Sequence, residues 1–122
     1  MTVSNAFLIS IVLLDHLHFG LMASSRLTLS AFKNARVLVC GDGDFSFSRL
    51  IATSQMCNSL VATTWDKDRS TIIKNFPGAD ENIDYISNSP NCRVDYGIDA
   101  TCIPYKKEFD IVLWNFPHVN GA

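Results

Sequence analysis

The chain has 122 residues, 48% of them apolar and 18% charged, with a formal net charge of −2 at neutral pH. That composition suits one globular domain at most and excludes an intrinsically disordered chain. The ten Lys and Arg are scattered, with Lys106-Lys107 the only adjacent pair, so the basic stripe of a free-standing nucleic-acid binder is absent and RNA contact would need phosphate-binding surface from elsewhere.

The elements, in chain order, begin with the apolar run 6–14 (AFLISIVLL). It is too short to cross a bilayer as a helix. It resembles the apolar core of a signal peptide, and Met22-Ala23-Ser24 offers a small-residue site. No Lys or Arg precedes Arg26, however, so the positive leader charge is missing and secretion is not expected. The expectation is a helix packed on the domain, or an extension. A third reading makes Met22 the natural start. His16 and His18 lie in this stretch without chemical context. Residues 1–34 are therefore read as an N-terminal extension with an apolar helix candidate, and 35–122 as the domain.

Residues 36–40 (RVLVC) are β-branched and aliphatic, which suits a strand buried on both faces. Gly41-Asp42-Gly43-Asp44 is turn chemistry. Residues 45–56 read as a helix, with Phe47, Leu50 and Ile51 at helical spacing. A second strand, 60–65 (LVATTW), ends at Asp66. A second helix, 67–76, is stopped by Pro77-Gly78, and 79–86 continues as a further helical segment. Residues 92–96 (CRVDY) make a third strand, broken by Gly97, and 110–115 (DIVLWN) a fourth, ended by Phe116-Pro117. Trp65, Tyr96 and Trp114 fall in strands, where core or pocket lining is expected. Cys40, Cys57, Cys92 and Cys102 lack metal-ligand spacing, so no metal site is expected and four free thiols are. This order of elements is that of an α/β fold with a parallel, doubly wound sheet.

In such sheets ligands bind outside the carboxyl ends of the strands, and polar residues cluster there. Gly41-x-Gly43 opens a nucleotide-binding fingerprint, although Ser46 stands where a third glycine would. Asp66, at the next strand tip, has the spacing of an acid that binds ribose hydroxyls; alone it would read as a turn residue. Asp42 and Asp44 would repel a pyrophosphate but attract a sulfonium and an ammonium, which favours S-adenosylmethionine over NAD. Asp99, after the third strand, is equally a cap and a partner for an adenine amino group. Asn115 and His118 flank Phe116-Pro117 at the fourth strand tip. There His118 is either an exposed loop histidine or a proton acceptor.

These residues resemble a known family. Val39-Cys40-Gly41-Asp42-Gly43-Asp44-Phe45-Ser46-Phe47-Ser48 is similar to the signature of the ribosomal RNA (uridine-N(3)) methyltransferase-like domain, also found in ferredoxin-fold anticodon-binding-domain-containing proteins. Ala62-Thr63-Thr64-Trp65-Asp66, Asn75-Phe76-Pro77-Gly78-Ala79, Glu81-Asn82-Ile83, Tyr96-Gly97-Ile98-Asp99-Ala100-Thr101 and the block from Phe109 through Asn115-Phe116-Pro117-His118 agree in order. The resemblance covers about residues 36–121. It implies a Rossmann-like methyltransferase fold that uses S-adenosylmethionine. By the same resemblance the loop of Gly41, Asp42, Gly43 and Asp44 holds the methionine part, Asp66 the ribose and Asp99 the adenine edge. Asn115, Phe116, Pro117 and His118 meet the target base, with Asn115 and His118 as the catalytic candidates. The last block resembles the Asn-Pro-Pro-aromatic element of base methyltransferases, but with Phe116 in place of its first proline.

The family continues beyond this motif, so a fold truncated after the fourth strand is expected, with an open strand edge through which copies could associate. The resemblance implies ribosomal RNA as partner and a nucleolar or nuclear site, with the cytoplasm as alternative; no membrane association is expected. Two other readings stay open: a non-catalytic remnant that binds a ligand or partner, and an NAD-binding domain.

Overall fold

The computed structural model describes residues 32–106 and 109–114, together with the backbone of 7–11 and of Asn115. The elements are β1 (Phe7–Ile11), β2 (Arg36–Cys40), α1 (Ser46–Ser54), β3 (Ser59–Thr63), α2 (Arg69–Asn75), α3 (Ala79–Ser87), β4 (Cys92–Asp95) and β5 (Ile111–Asn115). The sheet order is β1-β5-β2-β3-β4 and every pairing is parallel. The chain steps outward from β2 to β3 to β4, then returns to the other side of β2 as β5. That reversal creates a switch point between β2 and β5, the position at whose carboxyl edge sheets of this kind bind ligands.

Side-chain alternation divides the core in two. Val37 and Val39 of β2 join Leu60, Ala62, Ile111 and Leu113 on one face, packed by residues of all three helices: Phe47 and Ile51, Ile72, and Ile83 and Ile86. Leu38, Cys40, Val61 and Val112 point to the other face, where Phe109 packs with Ile103 and Tyr105. Among the described residues this second face is covered by an irregular segment, so the second helical layer of a doubly wound sheet is not seen there. An edge-on contact between Tyr105 and Phe109, with ring centroids 5.9 Å apart, and a hydrogen bond from the Tyr105 hydroxyl to Asp95 hold that segment down.

Local chemistry sets the helix ends. Asp68 caps α2 by accepting from the Thr71 amide at 2.8 Å. Asp80 and Glu81 lie in the first turn of α3, where the helix dipole favours negative charge. Arg69 bridges α2 to Asp80 and Asp84 of α3.

The N-terminal run corrects the expectation. Phe7–Ile11 is a strand and not a helix, and it pairs in parallel with β5. Five apolar or small residues cannot be assigned by periodicity; the unpaired backbone along β5 supplies the ladder that decides it. The side of β5 away from β2 is thus occupied by β1, and β1 and β4 are the sheet's edges among the described residues. His16, His18 and the Met22-Ala23-Ser24 site lie outside the described residues. No helix among the described residues is long and apolar enough to cross a membrane.

Candidate functional site

Because the strands are parallel, the loops after β2, β3 and β4 and the end of β5 converge on one edge. Backbone bonds tie them together. The Gly41 amide donates to the Thr63 carbonyl (3.2 Å), Thr64 to Asp95 (3.1 Å), Ile98 to Thr64 (2.9 Å) and Gly97 to Asp66 (2.8 Å). Gly41, Asp42, Gly43, Asp44, Asp66 and Asp99 are therefore brought to one side of the molecule, and the backbone of Asn115 ends β5 there. Phe116, Pro117, His118 and the Asn115 side chain lie outside the described residues.

The first loop folds through three left-handed residues: Gly41 (φ 71°), Gly43 (φ 65°) and Phe45 (φ 66°). Glycine takes this conformation without strain. A side chain on Gly43 would meet nothing within 4 Å, so the loop surface is open at that point. Phe45 is a bulky residue in a disfavoured region. Its ring, fully buried in the helical core, holds it there. This conformation is why α1 starts at Ser46 and not at Phe45.

Both loop carboxylates turn to the start of α1. Asp42 accepts from the Ser48 amide at 2.7 Å, and Asp44 from the Ser46 amide at 2.9 Å. These amides belong to the unpaired first turn of the helix and carry the positive end of its dipole. Asp42 is only 4% exposed. Burial pushes its carboxyl up to about 7, with Asp44 adding repulsion and the Ser48 and Phe47 amides opposing the shift.

Asp66 stands half-buried after β3. Its amide donates to Thr64 Oγ1 at 3.2 Å, and its carboxylate is 3.5 Å from the same hydroxyl, a marginal contact. Asp99 accepts from the Thr101 amide (2.9 Å) and hydroxyl (2.6 Å), which hold its carboxyl below the usual range. The turn-capping role is thus in place, with one carboxylate oxygen engaged. Tyr96 packs on the helical core and Trp114 on the second face. Trp65 departs from expectation: β3 ends at Thr63, and the Trp65 ring is 71% exposed beside Asp66.

Three contributors escaped the sequence reading. Asn82 of α3 donates to the Asp44 carbonyl at 2.9 Å and accepts from Arg49 at 3.1 Å. The Arg49 guanidinium also lies 4.6 Å from the centre of the Tyr85 ring. Ser48, fully buried, is the third. The Glu81-Asn82-Ile83 block of the resemblance was the available signal for Asn82, and the block ending at Ser48 that for Ser48; nothing in the residue pattern marks Arg49. Two hollows, of about 490 Å³ beside Arg49 and Tyr85 and about 300 Å³ beside Leu60 and Cys92, lie away from the carboxyl-edge loops. We place the site by the convergent polar groups and not by these hollows.

The model of the BMT5-like family, rRNA (uridine-N3-)-methyltransferase BTM5-like, matches residues 38–122. Heavy metal-associated isoprenylated plant protein 41 of Arabidopsis thaliana is 28% identical over 90 residues, which are 70% of this chain and 17% of that protein. The chain therefore spans less than a fifth of that relative's length. No solved structure matches.

Proposed function

The chain belongs to the BMT5-like rRNA (uridine-N3-)-methyltransferase family, and from that premise we propose that its carboxyl edge binds S-adenosylmethionine and serves methyl transfer to N(3) of a uridine in large-subunit ribosomal RNA. The observation that carries the cofactor reading is the seating of Asp42 and Asp44 on the first turn of α1. A dinucleotide would bring its pyrophosphate to those same amides. They are engaged by carboxylates, and an ionised carboxylate about 4 Å from a unit charge contributes roughly 4 kcal/mol at a partly screened site. The sign is repulsive for phosphate and attractive for a sulfonium or ammonium. The donor set fits the cofactor in its other parts too, with Asp66 an acceptor for ribose hydroxyls and the open surface at Gly43 a place for close approach.

When bound, S-adenosylmethionine supplies an electrophilic methyl group on its sulfur. In this reading Gly41, Asp42, Gly43 and Asp44 receive the methionine part, Asp66 the ribose and Asp99 the adenine edge. Asn115, Phe116, Pro117 and His118 receive the uracil. Asn115 orients the base by hydrogen bonding, and the His118 imidazole accepts the proton from N(3), which is weakly acidic. Rate comes mainly from holding donor and acceptor in line. A nuclear or nucleolar site follows from the family.

The test is transfer of labelled methyl groups to a large-subunit rRNA transcript, with the product nucleosides identified. Label on uridine N(3) that is lost in Asp66→Ala supports the reading. No transfer by a chain that binds the cofactor would replace it with a ligand-binding, non-catalytic role.

A further inference from the structure

The two neighbours of β5 stop at different heights. On the β2 side the register runs from Val37 opposite Ile111 to Cys40 opposite Trp114 and ends there. The residue after β2, Gly41, turns away with a left-handed backbone (φ 71°), and its amide donates to the Thr63 carbonyl of β3. On the β1 side the register runs one step further, from Phe7 opposite Ile111 to Ile11 opposite Asn115. Among the described residues, Asn115 therefore has its register partner in β1 and none in β2. The sequence of β1, FLISI, is rich in the β-branched and aromatic residues that suit a strand. The two halves of the candidate site thus have different supports. The cofactor loops are tied to one another within β2, β3 and β4, by the bonds of Gly41 to Thr63, Thr64 to Asp95, Ile98 to Thr64 and Gly97 to Asp66. Asp42 and Asp44 are held by α1. None of those bonds involves β1, whereas the end of β5, where the base-binding block begins, is flanked by it.

Resting on the functional reading above, we infer that the N-terminal strand belongs to the transfer machinery: β1, through the pairing of Ile11 with Asn115, positions the backbone from which the base-binding residues depart, while the cofactor loops stand without it. The role is one of positioning, exercised through main-chain bonds. It carries a signature that general destabilisation lacks. In an edge strand every second N–H faces the neighbouring strand and the others face outward. Proline removes one N–H, and an edge strand tolerates it where that N–H faces outward. Damage from proline should therefore alternate along β1.

The experiment compares Leu8→Pro, Ile9→Pro and Ser10→Pro in the full chain. Three quantities are read: S-adenosylmethionine affinity by calorimetry, turnover of labelled-methyl transfer to the rRNA transcript at saturating cofactor, and hydrogen exchange of the Trp114 and Asn115 amides by NMR. Leu8→Pro and Ser10→Pro are expected to behave alike, and Ile9→Pro oppositely. In the damaging set, turnover falls roughly 10–100-fold, the scale of loss that a misplacement of about 1 Å brings. Cofactor affinity stays within about twofold, as for a distant, independent site. Whichever of the two amides faces β1 loses its protection. Equal loss at all three positions, or cofactor affinity that falls in step with turnover, overturns the inference by making β1 a general support of the fold. Full turnover in all three variants overturns it too. If the parent chain binds the cofactor and transfers no methyl, the functional reading fails, and the amide arm decides the strand's hold on Asn115: alternating loss of protection upholds it, and protection that persists in all three variants contradicts it.

Discussion

Asn82 of α3 donates through Nδ2 to the main-chain carbonyl of Asp44, at 2.9 Å. Helix α3 thereby props the loop whose carboxylates accept from the first-turn amides of α1. The contact is half-buried and joins residues 38 apart in sequence. A single neutral hydrogen bond contributes about 0.5–1.5 kcal/mol. Asn82→Ala is expected to leave the fold in place and weaken S-adenosylmethionine binding about 3–10-fold, read by calorimetry beside circular dichroism. Unchanged affinity would show that the loop holds its shape without α3.

Asp42 has an opposite pH signature from most carboxylates. Its folded value is raised to about 7 from 3.8. The stability it contributes is complete below about 4 and is lost as pH rises through about 7. Asp42→Asn resembles the protonated acid. It should therefore match the parent chain's melting temperature only below about pH 4 and exceed it at pH 8, by at least ~1 kcal/mol or about 5 °C. A variant less stable at both values would mean that the carboxylate is needed in its charged form.

Arg36 and Asp110 tie the starts of β2 and β5. Asp110 accepts from the Arg36 amide (2.8 Å), Nε (2.9 Å) and terminal guanidinium nitrogen (2.8 Å). The Arg36 guanidinium holds the Asp110 carboxyl down to about 2. Stability from this pair is present above about 4 and fades as pH falls through about 2. The side chains are 42% and 39% exposed, and solvent screening limits the loss in Asp110→Asn to about 1 kcal/mol at neutral pH. Denaturant titration of the two chains at pH 7 measures it.

The four cysteines are free thiols but not equivalent. The neighbouring Cys92 thiol pushes the Cys57 thiol down, and the same contact pushes Cys92 up. Burial pushes Cys40 up. Since the thiolate is the nucleophile, Cys57 should be alkylated well before Cys92 and Cys40 at pH 7, as peptide mass spectrometry of a timed iodoacetamide reaction would show.

What was legible in the sequence is the part set by local pattern. Residues 36–40 are too apolar for anything but a buried strand, and β2 has those bounds. The convergence of Gly41, Asp66 and Asp99 follows from parallel strands alone. What was not legible depends on long-range partners. Phe7–Ile11 reads as helix until the free edge of β5 is available to it. The start of α1 moves by one residue because the core holds the Phe45 ring while its backbone turns left-handed. Trp65 falls beyond β3 because the ladder ends at the Thr63–Asp95 pair. The inward turn of Asp42 and the prop from Asn82 are contacts of side chain with backbone, which no spacing rule encodes.

The most direct test of the central claim is parallel calorimetric titration of S-adenosylmethionine and NAD into the folded chain, with Asp66→Ala as control. The Asp66 carbonyl bond to Gly97 is main chain and survives that substitution, so the variant tests the carboxylate and not the loop. The account predicts saturable binding of S-adenosylmethionine, at least about tenfold weaker in the variant, and no heat from NAD. Binding of NAD in preference, or no binding of S-adenosylmethionine by a chain folded by circular dichroism, would contradict it.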